Sequence, residues 1–156
     1  MSKDKDSPRK TTQSITTQRN PDETPESNWY NAILVITDRF SKMIIAIPTN
    51  MDLTAYGAAR LFRDHVWSKH GLPKKVISDR GLQFVAQFMK DLHRLMGVTA
   101  NISTVYHPQT DGQTERVNQE IEQYLRIFIN HRQSDWADWL ACAEFSYNNK
   151  IGRAHV

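Results

Sequence analysis

Apolar positions along this chain change their period several times, and each change marks an element. Asn31-Ala-Ile-Leu-Val-Ile-Thr37 and Lys42-Met-Ile-Ile-Ala-Ile-Pro48 are short runs rich in β-branched residues. Asp38-Arg-Phe-Ser41 between them has turn chemistry, so the pair predicts a β-hairpin. From Thr54 to His70, Ala55, Ala58, Ala59, Leu61, Phe62, Val66 and Trp67 recur at helical spacing, with Gly71 just past the end and Pro73 beyond. Lys75-Val-Ile-Ser78 predicts a brief strand that stops at Asp79, and Phe84, Phe88, Leu92, Leu95 and Met96 predict an amphipathic helix closed by Gly97. Val98 to Tyr106 predicts another strand, and His107-Pro-Gln-Thr-Asp-Gly-Gln113 a loop punctuated by Pro and Gly. A long helix follows from about Thr114 to His131, burying Val117, Ile121, Leu125 and Phe128, and Trp136 to Tyr147 predicts a last one. A strand pair followed by alternating helices and strands predicts an α/β domain with a mixed sheet flanked by helices.

The first 28 residues break this pattern, because only Met1 and Ile15 are apolar among them. Such a stretch buries too little surface to offset the entropy of ordering it, so residues 1–28 are expected to form a disordered polar tail. The full 156 residues, 39% hydrophobic and 24% charged, leave room for one domain with a real core. A net charge of +3 and a pI near 9.1 suit a nucleic-acid partner without requiring one. The single Cys142 excludes an intramolecular disulfide and a Cys-rich zinc site. There is neither a membrane-length apolar run nor an apolar signal core, so the expectation is an intracellular protein, nuclear or cytoplasmic.

Asp79 and Glu115 stand out by position. Asp79 ends a strand, a common place for active-site groups in open α/β sheets. Glu115 opens a helix entered through a Gly-containing loop. Phosphoryl transfer by paired Mg²⁺ ions needs carboxylates converging from separate elements, since hard cations take oxygen ligands and the two ions sit about 4 Å apart. Structural roles compete with this reading: Asp79 suits a turn, and Glu115 suits the positive end of a helix dipole.

The surrounding residues decide between them. Val76-Ile-Ser-Asp-Arg-Gly-Leu-Gln-Phe84 and Ser103-Thr-Val-Tyr-His-Pro-Gln-Thr-Asp-Gly-Gln-Thr-Glu-Arg-Val-Asn-Gln119 resemble the catalytic core of integrases from gypsy-type LTR retrotransposons, as do Asp38-Arg-Phe-Ser-Lys42 and Ala143-Glu-Phe-Ser-Tyr-Asn148. Thirty-five residues lie between Asp79 and Glu115, the spacing of the last two acids in that family's D,D-35-E triad. The resemblance covers residues 29–149, with 150–156 as an irregular end. It implies a ribonuclease-H-like fold and a Mg²⁺- or Mn²⁺-dependent polynucleotidyl transferase that trims the 3′ ends of element DNA and joins them to target DNA. It also implies Asp79 and Glu115 as catalytic, metal-ligating acids, and Tyr106 to Gln113 as an active-site loop. Tyr106, His107, Gln113, Asn118 and Gln119 would contact DNA, and the partners would include a homo-oligomer or an intact integrase.

The family's first acid has no counterpart. In family register Arg19 takes its place, or Gln18 after a one-residue slip, and neither is a carboxylate. Asp22 and Asp38 are the possible substitutes. The strand that should carry this acid is central in such sheets, and the polar run from Thr11 to Thr24 does not read as a central strand. The expectation is therefore a first strand missing or degraded, a weakened or split sheet, and a truncated, catalytically impaired copy. A non-catalytic DNA-binding or integrase-interaction module is the alternative. Trp67, Trp136 and Trp139 are expected in the core, and Lys42, Lys74, Lys75 and Arg80 are weak candidates for phosphate contacts.

Overall fold

The computed structural model describes residues 12–19, 30–73, 75–97, 112–128 and 135–154. Among these residues the centre is a four-stranded mixed sheet built from β1 (Thr12–Arg19), β2 (Ala32–Asp38), β3 (Ile44–Thr49) and β4 (Lys75–Ser78), in the order β3-β2-β1-β4. β1 runs antiparallel to β2 and parallel to β4.

The hairpin forms as the two apolar runs predict, and β2 explains why its sequence does not alternate. Leu34 and Ile36 pack to one face and Ile33 and Val35 to the other, so both faces are covered and each position is buried. Asp38 closes the turn: its Oδ1 accepts from the Phe40 amide at 3.1 Å and its Oδ2 from the Ser41 hydroxyl at 2.8 Å. This local side-chain bonding is what fits Asp to a turn.

On the first face lie α1 (Ala55–Phe62) and α3 (Leu82–Leu95). Phe62, Phe88 and Leu92 pack there against Ile15, Leu34, Ile36 and Ile47, with the Phe62 and Phe88 rings edge to face at 5.6 Å. Thr54 caps α1 by accepting from the Gly57 amide at 3.0 Å. After α1 the chain continues through a π-helical turn, Arg63–Trp67, into the short α2 (Ser68–His70). One expectation is overturned in this segment. Val66 takes the core position at 1% exposure, and Trp67 is carried outward to 42%.

The second face is covered by α4 (Gly112–Phe128) and α5 (Trp136–Ala154), which pack Val117, Ile121, Leu125, Trp136, Leu140, Ala143 and Tyr147 against Ile33, Val35, Ile44 and Ala46. Trp136 is fully buried, and Trp139 is half-buried with its indole N–H donating to Asp135 at 3.0 Å. One turn apart on α5, Glu144 and Asn148 reach the open side of β3. Asn148 accepts from the Ile44 amide and donates to the Ile44 carbonyl, both at 2.8 Å, and Glu144 accepts from the Ala46 amide at 2.9 Å.

The α/β class and its ribonuclease-H-like plan hold, with one correction inside them. Thr12–Arg19 falls in the stretch read as a disordered tail, yet it is a strand, and it joins β2 to β4 instead of leaving the sheet split. Its backbone pairs on both sides, and Ile15, 1% exposed, anchors it among Leu34, Ile36 and Val76. Pro21 lies beyond the strand's end. The strand expected at 98–106 lies outside the described residues, as do Lys74 and Phe128's side chain.

Candidate active site

β4 delivers Asp79 to the edge of the fold. The strand ends at Ser78, and the chain turns through Arg80 and Gly81 into α3. Gly81 has φ 93°, a left-handed conformation that a side chain would strain. Arg80 holds this turn: its guanidinium donates to the Leu53 carbonyl and, at 2.9 Å, to the Met51 carbonyl, and it lies 5.0 Å over the Phe84 ring. Its role is to tether the turn, which leaves little of it for the phosphate contact considered from sequence.

The Asp79 side chain is exposed along one side and crowded by strand ends on the other. Loss of hydration pushes its pKa above the ordinary carboxylate value, while its own backbone amide, Arg80, the Thr17 amide and the Ser78 hydroxyl pull it back. The Ser78 hydroxyl lies 3.5 Å from Asp79 Oδ1 and also accepts from the Arg80 amide at 3.2 Å.

The sheet register locates what faces Asp79. β1 and β4 pair Thr12 with Lys75, Gln13 with Val76, Ser14 with Ile77 and Ile15 with Ser78. One step further brings Thr16 level with Asp79. Arg19, expected in the place of the first acid, is three residues beyond, about 10 Å along a strand. Gln18 is two residues beyond. No residue of Thr12–Arg19 is a carboxylate.

Neither substitute acid fills the gap among the described residues. Asp38 pairs in register with Gln13, three residues from the Thr16 level, and its carboxylate is engaged in the hairpin turn. Asp22 lies outside the described residues. A cavity of about 390 Å³ does adjoin Asp38, Ser41, Lys69, His70, Glu144 and Asn148, but it sits at this same far end of the sheet.

Glu115 lies in the first turn of α4, whose backbone starts at Gly112, two residues before the expected start. The side chains of Glu115 and Gln113 are outside the described residues, and so are Tyr106 and His107. Gln119 is exposed on α4, whereas Asn118 is half-buried with its Oδ1 sealed from solvent and without a partner. Arg116 is exposed beside them, and Glu120 pairs with Lys150 of α5 at 3.1 Å.

Among the described residues no group of three or more His, Cys, Asp or Glu converges. Around Asp79 stand backbone N–H groups and the Ser78 hydroxyl, and of these only the hydroxyl oxygen could ligate a cation. The described donor set therefore does not fit a paired-cation site. Sequence reasoning missed Thr16, whose place only the register reveals. It also missed Glu144 and Asn148, although an i,i+4 polar pair, each member directly after a buried residue (Ala143 and Tyr147), was a visible signal.

Known proteins place this geometry. The chain matches no protein-family profile. It is 42% identical over 130 residues, 83% of its length, to the transposon Tf2-3 polyprotein of Schizosaccharomyces pombe, and equally to the Tf2-4 polyprotein. It spans about a tenth of those relatives, the matched segment being 10% of each. In fold it is similar to the catalytic core domain of BIV integrase, with a TM-score of 0.61 over 90% of this chain and 85% of that one, at 18% identity.

Proposed function

We propose that this chain, an integrase-like core of LTR-retrotransposon type, engages DNA as a polynucleotidyl-transferase core does but is impaired in catalysis. The observation that carries this reading is the central strand. β1 is in place and passes Asp79 with no carboxylate anywhere along it.

Divalent cations, Mg²⁺ or Mn²⁺, would supply the Lewis acidity that an integrase reaction calls on. Asp79 and Glu115 are the acids this chain retains for that work, on a strand end and in a helix's first turn. Two acids without the third would supply too few oxygen ligands for such cations, and affinity falls with each ligand lost. DNA engagement draws on different groups. Exposed Arg116 and Gln119 on α4, together with Tyr106 and His107 in the sequence before it, offer charge and hydrogen bonds to a phosphate backbone, a sequence-independent interaction that weakens as salt rises. Pairing with a second copy or with an intact integrase is the corresponding assembly. A non-catalytic DNA-binding or integrase-interaction module is the form this function takes if no activity remains.

The test is 3′-processing and strand transfer on element-end DNA with Mg²⁺ or Mn²⁺, comparing the chain with Asp79→Asn. Both should give the same background product. Product above background that disappears in Asp79→Asn refutes impairment. Fluorescence anisotropy with labelled duplex DNA should show binding that weakens steadily with added salt, and absence of binding at low salt refutes DNA engagement.

A further inference from the structure

We infer that the ligand position lost from this site is Thr16, and that a carboxylate placed there, but not at Gln18 or Arg19, restores divalent-cation binding next to Asp79. The inference rests on the reading just given and adds to it the site of the defect.

Two independent pairings define the position. The parallel ladder with β4 runs to Ile15 opposite Ser78, so the next pair along it is Thr16 and Asp79. The antiparallel ladder pairs Thr16 with Val35. Val35 belongs to the cluster under α4 and α5, so position 16 lies on the sheet face that α4 covers, and α4 carries Glu115. Arg19 pairs with Ala32 and Thr17 with Leu34, which alternate with the Val35 position and lie on the α1 and α3 face. A carboxylate at 19 would thus be about 10 Å along the strand and on the wrong side of the sheet. One at 18 would be on the right side but about 7 Å too far along. Only position 16 is both level with Asp79 and on its face. Neighbouring strands are about 4.8 Å apart, close enough for two such acids to share one cation.

The surroundings fit a site that has lost its cation partner. The groups that donate to the Asp79 carboxylate are amides and a hydroxyl, with the charge of Arg80 nearby. The Thr17 contribution comes from its backbone amide, since its side chain belongs to the opposite face of the sheet.

Mn²⁺ affinity, read by water-proton relaxation enhancement on the full chain, tests this without recourse to activity. Thr16→Asp should bind Mn²⁺ at least about tenfold more tightly than the parent chain, the scale on which ligand-shell changes act. Gln18→Asp and Arg19→Asp should match the parent, and adding Asp79→Asn to Thr16→Asp should abolish the gain. Tightening by Arg19→Asp or Gln18→Asp in place of Thr16→Asp overturns the assignment while leaving impairment intact. Tight Mn²⁺ binding by the parent that depends on Asp79 overturns impairment itself. Should Thr16→Asp fail to fold, cysteine pairs decide the register in a Cys142→Ser background. Thr16→Cys with Asp79→Cys should oxidise to a crosslink, since adjacent strands fall within disulfide reach, and Arg19→Cys with Asp79→Cys should not. A crosslink from the second pair, or from neither, overturns the inference.

Discussion

β1 and β2 lie side by side in the middle of one sheet and have opposite compositions. β2 is Ala-Ile-Leu-Val-Ile-Thr-Asp, with all but its last residue buried, and its sequence announces a strand covered on both faces. β1 is Thr-Gln-Ser-Ile-Thr-Thr-Gln-Arg, and its sequence announces nothing. The difference shows that a slot between two strands can supply the backbone partners that a segment's own side chains do not earn. What β1 needs is a free backbone on both sides and one apolar anchor, which Ile15 provides.

The largest effects should come from the anchors. Leu34→Ala is expected to cost about 2–5 kcal/mol, the range for truncating a fully buried aliphatic side chain. Ile15→Ala should fall in the same range although its strand is otherwise polar, and urea unfolding of both variants measures the pair. A neutral Ile15→Ala would mean that β1 is not seated where its ladders place it.

A smaller effect of opposite sign should come from Thr17. Its hydroxyl is sealed without a partner among the described residues, so Thr17→Val removes a desolvated polar group and should gain about 1 kcal/mol. Equal stability in thermal melts would show that the hydroxyl is hydrated.

Smallest is the effect of charge at Asp79. Its pKa is raised in the fold, mainly by lost hydration, so the folded state holds its proton more tightly than the unfolded chain does. The ionised carboxylate therefore opposes folding above the folded-state pKa. This opposition fades as pH falls through that value and is gone below the unfolded one, near the ordinary 3.8. Asp79→Asn should melt slightly higher than the parent at neutral pH, with the gap closing in acid. A gap that widens in acid would reverse the sign of the shift.

The contrast between the strands also marks how far sequence could reach. The hairpin, the helices after it and the strand ending at Asp79 were legible because burial prints a period, two for strands and near 3.6 for helices. Asp79 and Glu115 were legible as a spaced pair within long motifs. β1 was not legible, because its membership comes from neighbours far along the chain. The position facing Asp79 was hidden for the same reason: alignment by motif points to Arg19, and only pairing points to Thr16. Trp67 was misread because Val66, four residues after Phe62, already fills the core position, and the residue next to it turns outward.

The clasp from α5 onto β3 bears on solubility. Met43 and Thr49 turn their carbonyls toward β2, so the alternate residues Ile44, Ala46 and Pro48 face outward. Asn148 and Glu144 occupy the outward amides of Ile44 and Ala46, and Pro48 has none to offer. An incoming strand from another molecule therefore finds no outward donor on β3 to pair with. Should α5 lift away, the apolar floor beneath it and a templating strand would be uncovered together. The docking of α5 thus stands between this edge and intermolecular β-sheet growth, with Glu144 and Asn148 as the side chains that close it.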